Sequence, residues 1–342
     1  MKVLMAGVEN WGRMRRNWMR ESGLYEIVAA YDYNDAFLDK CIAEENCARA
    51  ASYENLLETG GAKAIVISTG AKFHAQQVVK ALEAGLHVLV EKPLCCTPTE
   101  LVQIQDTQKK TGLVVHVGHK EHDAEPISQY IKGEIDSGRV GKVAAFEKTK
   151  AHSGGFVIRP GDWRDDPKTN PGGMLFQCGV HSLFELQFYF GPIKKVYSLM
   201  RYNIHTTQTA DAALCALEFE NGVTGTLHAY HVTAYRHTFS LFGTKKNIYV
   251  NERFYDEGTS IHEQTLSLDD KKQEMQSIDF DNEYDHIRNV QRFYECVSAN
   301  TPEKTNLCAA AAAVRAVFAA EESARTGREV WLDSAYYEVP IQ

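Results

Sequence analysis

The first 120 residues alternate between short apolar runs and amphipathic segments with helical spacing. Apolar runs of the length expected for strands buried on both faces of a parallel sheet occur at residues 3–8, 26–31, 62–68, 87–90 and 113–117. Helical segments lie between them. One carries apolar Val78, Val79 and Leu82 and ends at Gly85, a residue suited to a helix C-terminus. This alternation predicts a doubly wound parallel sheet over residues 1–120.

After Gly118 the pattern changes to strands linked by turns. Strands are predicted at residues 143–150, 193–201, 212–219, 224–231, 237–243 and 246–251, and helices at 127–138, 174–190, 282–299 and 308–326. Glu220-Asn221-Gly222 is a strong hairpin signal between two of these strands. Such strands favour an α+β domain over residues 121–342 with a large, mainly antiparallel open sheet.

Composition and charge narrow the class of partner. With 342 residues, 44% apolar and 24% charged, the chain is an ordinary globular protein long enough for two domains. A net charge of −8 without a basic run argues against nucleic acid or a membrane surface, and the apolar runs are too short for a signal peptide or a membrane span. Its eight cysteines show no C-x-x-C pair. We therefore expect a cytoplasmic protein with reduced thiols that acts on a small molecule.

A glycine-containing turn follows the first strand. Gly7-x-Glu9-x-x-Gly12 has the layout of the dinucleotide-binding fingerprint of Rossmann domains, with the middle glycine replaced by a bulkier, acidic residue. Asp32 ends the second strand 20 residues after Gly12, where a carboxylate bonds a ribose 2′-hydroxyl. The alternative for Asp32 is a turn or helix-capping role. The first interpretation predicts NAD as cofactor, in preference to NADP, because a carboxylate repels a 2′-phosphate.

The strand at 87–90 ends abruptly in Glu91-Lys92-Pro93. Pro93 has no N–H with which to continue a ladder, so the strand stops at Lys92. Ligands of open α/β sheets bind outside the carboxyl ends of the strands, which places Lys92 toward any bound nucleotide. If partial burial lowers its pKa, Lys92 can transfer a proton. The alternative is a solvated strand-end lysine paired with Glu91.

A second group of chemically competent residues follows a glycine- and proline-rich loop at residues 152–173. Loops of this length within compact domains are usually functional. If residues 174–190 are helical, Gln177 and His181 lie one turn apart on one face. His181 could then exchange a proton with a substrate hydroxyl near neutral pH. Alternatively, His181 has its hydrogen bonds satisfied at a domain interface.

Taken in order, these motifs resemble the Gfo/Idh/MocA family of nicotinamide-dependent sugar and inositol oxidoreductases. The motifs that carry the resemblance are the glycine turn, Asp32, the threonine-ended strand before His74, Glu91-Lys92-Pro93, Gly172-Gly173 through Gly179-x-His181, and Ser323 to Arg328 near the end of the last predicted helix. The resemblance implies Lys92 as the proton-transfer residue, with His181 as its partner on the substrate hydroxyl. Gln177 stands where many members carry an aspartate, and it can orient a hydroxyl but cannot take its proton. Ala71 replaces the usual asparagine.

The resemblance also implies the binding residues. The expected cofactor contacts are Gly7, Glu9, Asn10, Trp11, Gly12, Asp32, Thr69, His74, Glu91 and Lys92. The expected substrate contacts are Lys120, His152, Arg159, Trp163, Arg164, Gln177 and His181. Trp163 would form a stacking wall for a sugar ring, and the two arginines would hold hydroxyl or carboxylate groups.

The His119-Lys120-Glu121-His122 stretch permits three interpretations. Its His-x-x-His spacing past a strand does not match a helical zinc pair, so no metal site is predicted. In the family that the chain resembles, this stretch borders the substrate pocket, so Lys120 and His119 could contact sugar hydroxyls. The remaining possibility is a solvated domain hinge.

The resulting hypothesis is an NAD-dependent dehydrogenase that moves a hydride between a secondary hydroxyl of a sugar, inositol or derivative and nicotinamide. Two alternatives remain: NAD recycled during an oxidation–elimination or epimerisation, and a non-catalytic ligand sensor of the same fold. A homodimer or homotetramer formed through the C-terminal sheet is also expected, because one sheet face needs cover. The apolar residues expected on that face are Val196, Leu214, Leu217 and Leu227.

Overall fold

The computed structural model describes residues 1–252, 258–269, 272–280 and 285–332, and this part of the chain divides into two compact units. The first comprises residues 1–121 and 285–311, and the second comprises residues 122–280 and 312–332. The division at residue 121 lies next to the predicted one. Residues 285–311 return to the first unit because Val290 and Phe293 are fully buried in the same core as Val3 and Met5.

Six parallel strands form the sheet of the first unit. They are β1 (Lys2–Ala6), β2 (Glu26–Tyr31), β3 (Ala48–Arg49), β4 (Ala64–Ile67), β5 (His87–Val90) and β6 (Val115–Val117). Their order is β3-β2-β1-β4-β5-β6, the strand order of a Rossmann sheet, which confirms the predicted doubly wound domain. The central strands are buried on both faces, so their sequences are continuously apolar.

Helices connect these strands. They are α1 (Trp11–Ser22), α2 (Asp35–Glu45), α3 (Tyr53–Leu57), α4 (Ala71–Glu83) and α5 (Pro98–Thr111). The start of α5 shows why the local sequence is helical: Thr97 accepts from the Glu100 N–H while the Glu100 side chain accepts from the Thr97 N–H. Gly112, in the left-handed conformation, ends the same helix.

Nine strands form the sheet of the second unit within the described ranges. They are β7 (Val143–Ala151), β8 (Ile193–Arg201), β9 (Ala212–Phe219), β10 (Thr224–Tyr230), β11 (Arg236–Gly243), β12 (Lys246–Glu252), β13 (Thr259–Thr265), β14 (Met275–Ile278) and β15 (Val330–Trp331). The order is β14-β13-β12-β11-β7-β10-β9-β8-β15, and every pair is antiparallel except β7 with β10. The mainly antiparallel sheet is confirmed.

The remaining helices are α6 (Pro126–Asp136), α7 (Val180–Phe190), α8 (Arg288–Ala299) and α9 (Leu307–Thr326), with a π-helical turn at Leu175–Gly179 leading into α7. Helix α7 packs on one face of the large sheet, where the Phe190 ring lies 5.1 Å from that of Phe146 and 5.3 Å from that of Phe219. The predicted helix from Asn282 begins partly outside the described residues. None of the described helices combines the length and apolar composition needed to cross a bilayer.

The face of the large sheet assigned to Val196, Leu217 and Leu227 was predicted wrongly. All three are buried on the face that α7 covers, because strand pairing places them on the same face as Phe219 and Phe146. Leu214 alone of the four expected residues lies on the opposite face. The strand pattern distinguishes two faces, but it does not say which of them a helix covers.

Candidate active site

The turn after β1 leaves no room for a side chain at two positions. Gly7 has a φ of +79°, and a Cβ there would lie 2.6 Å from the Ser68 carbonyl carbon. A Cβ on Gly12 would lie 2.1 Å from the Gly7 carbonyl oxygen. Helix α1 then begins at Trp11 without a side-chain cap from Asn10. Uncapped N–H groups at a helix N-terminus bind anions, so this turn fits the diphosphate of a dinucleotide.

Glu9 occupies the position of the missing middle glycine. Its Oε1 lies 3.4 Å from Nε of Arg13, one turn later in α1, and its side chain is 16% exposed. The pair offsets the negative charge that Glu9 brings to an anion-binding turn. Asn10 is exposed with a φ of +53°, and the neighbouring Trp11 side chain is half exposed. The turn therefore tolerates Glu9 through an ion pair.

Asp32 is buried at the carboxyl end of β2. Its Oδ2 accepts a hydrogen bond from the Val8 N–H and its Oδ1 accepts from the Asn34 N–H, each at 2.9 Å. The residue that caps α2 is Asn34 and not Asp32, since the Asn34 side chain accepts from the N–H groups of Ala36 and Phe37. Each carboxylate oxygen has a second lone pair. Asp32 is thus fixed beside the glycine turn and can still accept from a ribose hydroxyl.

His74 lies in the first turn of α4 and is fully buried. Its Nδ1 is 2.8 Å from the Pro93 carbonyl oxygen and its Nε2 is 2.9 Å from the Thr69 carbonyl oxygen. Burial lowers the pKa of His74, although both carbonyls favour the protonated ring. The Thr69 hydroxyl donates to Gln77 Oε1 at 2.5 Å. Neither nitrogen of His74 is left for a direct bond to a cofactor. His74 can therefore influence the site only by holding the backbone carbonyl groups that it contacts.

Glu91 and Lys92 follow β5 directly. Glu91 is buried, with Oε1 2.6 Å from Arg15 Nε and Oε2 accepting from the Lys92 N–H at 3.3 Å. Arg15 also donates through Nη1 to Asn289 Oδ1 at 2.6 Å. Lys92 is half-buried, and its peptide bond to Pro93 is cis. The ion-pair partner of Glu91 is therefore Arg15, which comes from the first helix.

The His-Lys-Glu-His stretch after β6 is divided between different surroundings. Glu121 Oε1 lies 2.8 Å from His116 Nε2 in the interior of the first unit. His122, in the second unit, has Nδ1 2.9 Å from Glu125 Oε2. Lys120 is exposed. Over the described ranges, no group of three or more histidine, cysteine, aspartate or glutamate side chains could hold a metal ion.

Gln177 and His181 lie in one continuous helical segment, as the sequence predicted. Gln177 belongs to the π-helical turn Leu175–Gly179, and His181 is in the first turn of α7. Both side chains are half-buried. Single π-helical turns occur frequently at functional sites, because the widened turn changes the direction of the side chains it carries.

His152 follows β7 and contacts the same helical segment. Its Nδ1 accepts the Gly154 N–H at 2.8 Å, so in the neutral ring the proton is on Nε2, which lies 3.4 Å from Cys178 Sγ. Burial lowers the pKa of His152, and neighbouring His231 and Lys150 lower it further. His152 therefore acts as a neutral donor toward the residue next to Gln177.

Three residues near this segment were missed by the sequence analysis. Lys150 Nζ lies 3.2 Å from His237 Nδ1 and 3.4 Å from Glu252 Oε2, and the Tyr235 hydroxyl is 2.8 Å from the same Nδ1. Burial and the nearby Lys150 lower the pKa of His237 to about 3, so the ring is neutral. The sequence could have indicated Lys150, because basic residues at alternate positions of β7 interrupt an otherwise apolar inner face.

Two contacts locate Lys150 along the helical segment. Lys148 Nζ lies 2.7 Å from Glu185 Oε2, and His152 contacts Cys178. Lys150 lies between Lys148 and His152 along the chain and on the same face of β7 as Lys148. Burial disfavours the ammonium form of Lys148, but its carboxylate partners outweigh burial and raise its pKa above the ordinary value.

The loop residues predicted to hold the substrate are accessible. Arg159 donates to the Phe156 carbonyl oxygen at 3.0 Å and is otherwise exposed. Arg164 Nη2 lies 2.8 Å from Asp162 Oδ2, so its charge is offset, and its guanidinium is 5.9 Å from the centre of the Trp163 ring. Trp163 is 38% exposed. Arg159 presents an exposed charge and Trp163 an exposed aromatic face, as do Lys168 and Phe156 of the same loop.

The Rossmann sheet, the glycine turn and the fixed Asp32 define a dinucleotide-binding protein. Residues 1–119 match the family model described as "Oxidoreductase family, NAD-binding Rossmann fold", and residues 128–249 match the "GFO/IDH/MocA C-terminal domain". The chain belongs to the Gfo/Idh/MocA family, which confirms the resemblance seen in the sequence. It is an NAD-binding oxidoreductase.

The named relatives include sugar and inositol dehydrogenases. The chain is 27% identical over 289 residues to scyllo-inositol 2-dehydrogenase (NAD(+)) of Bacillus subtilis, covering 81% of this chain and 80% of the relative. It is 24% identical over 290 residues to D-xylose 1-dehydrogenase (NADP(+)) 2 of Haloferax volcanii, covering 82% and 84%. Levoglucosan dehydrogenase in complex with NADH and levoglucosan has the same fold, with a TM-score of 0.82, 16% identity, and coverage of 98% and 100%.

We expect NAD to bind more tightly than NADP. Asp32 accepts from a ribose hydroxyl and repels a 2′-phosphate, and hydrogen bonds to charged groups contribute about 1.5–3 kcal/mol. Asp32→Ala should therefore weaken NAD binding by roughly ten- to hundredfold, and it should reduce the difference in affinity between NAD and NADP. Fluorescence titration with NADH and NADPH measures the affinity for each cofactor. Asp35→Ala is the control, since that carboxylate is exposed and pairs with Arg49. Equal or tighter NADPH binding by the parent protein would contradict this assignment.

Proposed function

We propose that this protein is an NAD-dependent dehydrogenase acting on a secondary hydroxyl of a sugar, an inositol or a related derivative. The observation that carries the proposal is Lys92 at the carboxyl end of β5, at the edge of the sheet where Rossmann domains bind their ligands. The same edge carries the glycine turn after β1 and Asp32 after β2. The dehydrogenases among its relatives support this class of substrate.

In the proposed mechanism, Lys92 or His181 removes the hydroxyl proton of the substrate. Gln177 orients the hydroxyl by hydrogen bonding without taking the proton. Bound NAD supplies the acceptor for the hydride that leaves the same carbon. The polar residues His152 and Lys150 lie near the helical segment of Gln177 and provide further donors for substrate oxygens.

The surrounding residues are proposed to grip the substrate. Trp163 offers an exposed ring for stacking on the apolar face of a sugar, and Arg159 offers a guanidinium without a carboxylate partner within the described chain. Lys120 is exposed, and Arg164 is paired with Asp162. Arg159 and Trp163 are therefore the stronger candidates in the loop.

Incubation of the protein with NAD and a panel of sugars, inositols and glycosides tests the reaction. We expect net NADH, seen as absorbance of the reduced cofactor, together with a keto product from at least one compound. Product without net NADH would support recycled NAD instead, in an elimination or epimerisation. Cofactor-dependent ligand binding without any product would support a ligand sensor.

Substitutions at three positions separate the roles in the mechanism. Lys92→Met should keep NADH affinity and lower kcat by about 10²–10⁴, the contribution of a positioned acid–base group. Gln177→Ala should mainly raise KM, because it removes one or two hydrogen bonds of about 0.5–1.5 kcal/mol each. The loss of activity in His181→Ala should lie between those of Lys92→Met and Gln177→Ala. If Lys92→Met turns over a confirmed substrate at the parent rate, the assignment of Lys92 is wrong.

We further propose that the uncovered face of the large sheet forms a homodimer or homotetramer interface. This face carries Tyr197 and Leu199, which is 58% exposed, with Leu214 opposite Leu199 in the strand register. Adjacent apolar side chains on an open sheet face are typical of an interface. Location in the cytoplasm is proposed as well, supported by the eight cysteines, all of which are free thiols.

Leu199→Glu should lower the oligomeric state because it places a charge in the proposed interface. Light scattering coupled to size exclusion at micromolar concentration measures the molar mass. Leu268→Glu is the control, since Leu268 is fully exposed outside this face. A monomeric parent protein, or an unchanged mass in Leu199→Glu, would refute the interface.

A further inference from the structure

We propose that His74 is a positioning residue that fixes the backbone on the carboxyl side of Lys92, and not a cofactor contact. The inference rests on the proposed function, since it assigns His74 a role in placing the proton-transfer amine. It concerns residues of the first unit only.

The imidazole of His74 joins the ends of two adjacent strands. Thr69 follows β4 and Pro93 follows β5, and these parallel strands pair through Ile67 and Val90. Nε2 is 2.9 Å from the Thr69 carbonyl oxygen, and Nδ1 is 2.8 Å from the Pro93 carbonyl oxygen. Because His74 belongs to α4, a proton on Nδ1 ties the turn that carries Lys92 to α4, and a second proton on Nε2 would also tie it to the end of β4.

The other side of Lys92 is fixed independently. Glu91 is held by Arg15 at 2.6 Å, and its second oxygen accepts from the Lys92 N–H. The residues before and after Lys92 are both buried, while Lys92 itself is half-buried. The starting point of the Lys92 side chain is therefore set by two buried neighbours. Displacement of a reacting group by about 1 Å can cost a factor of about 10² in rate.

Histidine is the side chain suited to this position. Its two nitrogens lie on opposite sides of a rigid ring, which lets a single residue reach two carbonyl groups. A neutral ring donates to one carbonyl and a protonated ring donates to both, so at least one bond holds in either state. Gln carries its amide nitrogen and oxygen on one end and can donate to only one of the two sites. Phe fills a similar volume and donates to neither.

His87 provides a matched control at the opposite end of the same strand. Its Nδ1 accepts the Val114 N–H at 3.0 Å, so it too binds backbone, but at the amino end of β5, whereas Lys92 follows the carboxyl end. Loss of either histidine removes backbone hydrogen bonds and lowers stability. Only loss of His74 should disturb Lys92.

The first measurement needs no substrate. Lysine amines of the NADH-bound protein are trace-labelled with an acylating reagent, and labelling of Lys92 is compared with that of exposed Lys109 by peptide mass spectrometry. His74→Phe should change the Lys92 to Lys109 ratio at least threefold, whereas His87→Phe should leave it unchanged. An unchanged ratio in His74→Phe, or an equal change in both variants, overturns the proposal.

The second measurement uses a substrate found with the panel. His74→Phe should lower kcat by about 10- to 100-fold with KM and NADH affinity within threefold of the parent, and His74→Gln should recover part of kcat. His87→Phe should keep the parent kcat even if its melting temperature falls equally. A parent-like kcat in His74→Phe overturns the positioning role. If His74→Phe does not fold, His74→Gln decides by the same two readouts.

The two hypotheses fail in different ways. If Lys92→Met retains full turnover, the proposed function of Lys92 is wrong, but the labelling ratio still reports whether His74 fixes that lysine. If Lys92→Met is inactive and the His74 variants match the parent in labelling ratio and in kcat, Lys92 is the proton-transfer residue but His74 does not position it.

Discussion

The buried ion pair between Arg15 and Glu91 connects three parts of the first unit. Arg15 comes from the helix that follows the glycine turn, Glu91 precedes Lys92, and Asn289 reaches the same guanidinium from α8. A Cβ on Gly118 would lie 2.5 Å from Arg15 Nη2, so a side chain there would require the ion pair to shift. Breaking one partner of a buried pair typically costs about 3–5 kcal/mol, so the pair constrains all of these elements together.

In the proposed reaction, this constraint would link cofactor binding to the placement of Lys92. The same helix supplies the anion-binding turn at its first residues and the partner of Glu91 one turn later, so both depend on one rigid element. With Asp32 fixed by the Val8 N–H, the turn is organised by backbone bonds that require no ligand. A preformed site of this kind loses little conformational entropy when a dinucleotide binds.

Two departures from the family pattern have local explanations. Glu9 replaces a glycine without leaving an isolated charge, because Arg13 lies one helical turn away. Gln177 replaces the usual aspartate within a π-helical turn, near the neutral donor His152. A glutamine there removes one possible base, which leaves Lys92 and His181 as the groups able to move a proton in the proposed reaction.

The sequence alone determined most of the secondary structure, because periodicity and turn chemistry are local. The predicted limits of β2, β8 and β9 match the structure, and the hairpin glycine Gly222 has a φ of +84°. The short strand β3, the edge strands β14 and β15, and β13 next to β14 were not predicted. They are very short or carry polar residues such as Glu263 and Gln264, so their pairing comes from neighbouring strands and not from apolar alternation.

Only the tertiary structure decided which side chains meet. Glu91 could be recognised as a strand-end acid, but its partner Arg15 lies 76 residues earlier in the chain. Lys150 and His237 are brought together by the register of β7 and β11, and α7 covers the face of the sheet that buries Leu217. Local patterns specify how a segment folds and which of its faces is apolar. Partners distant in sequence are selected by packing of the whole chain, which no single segment encodes.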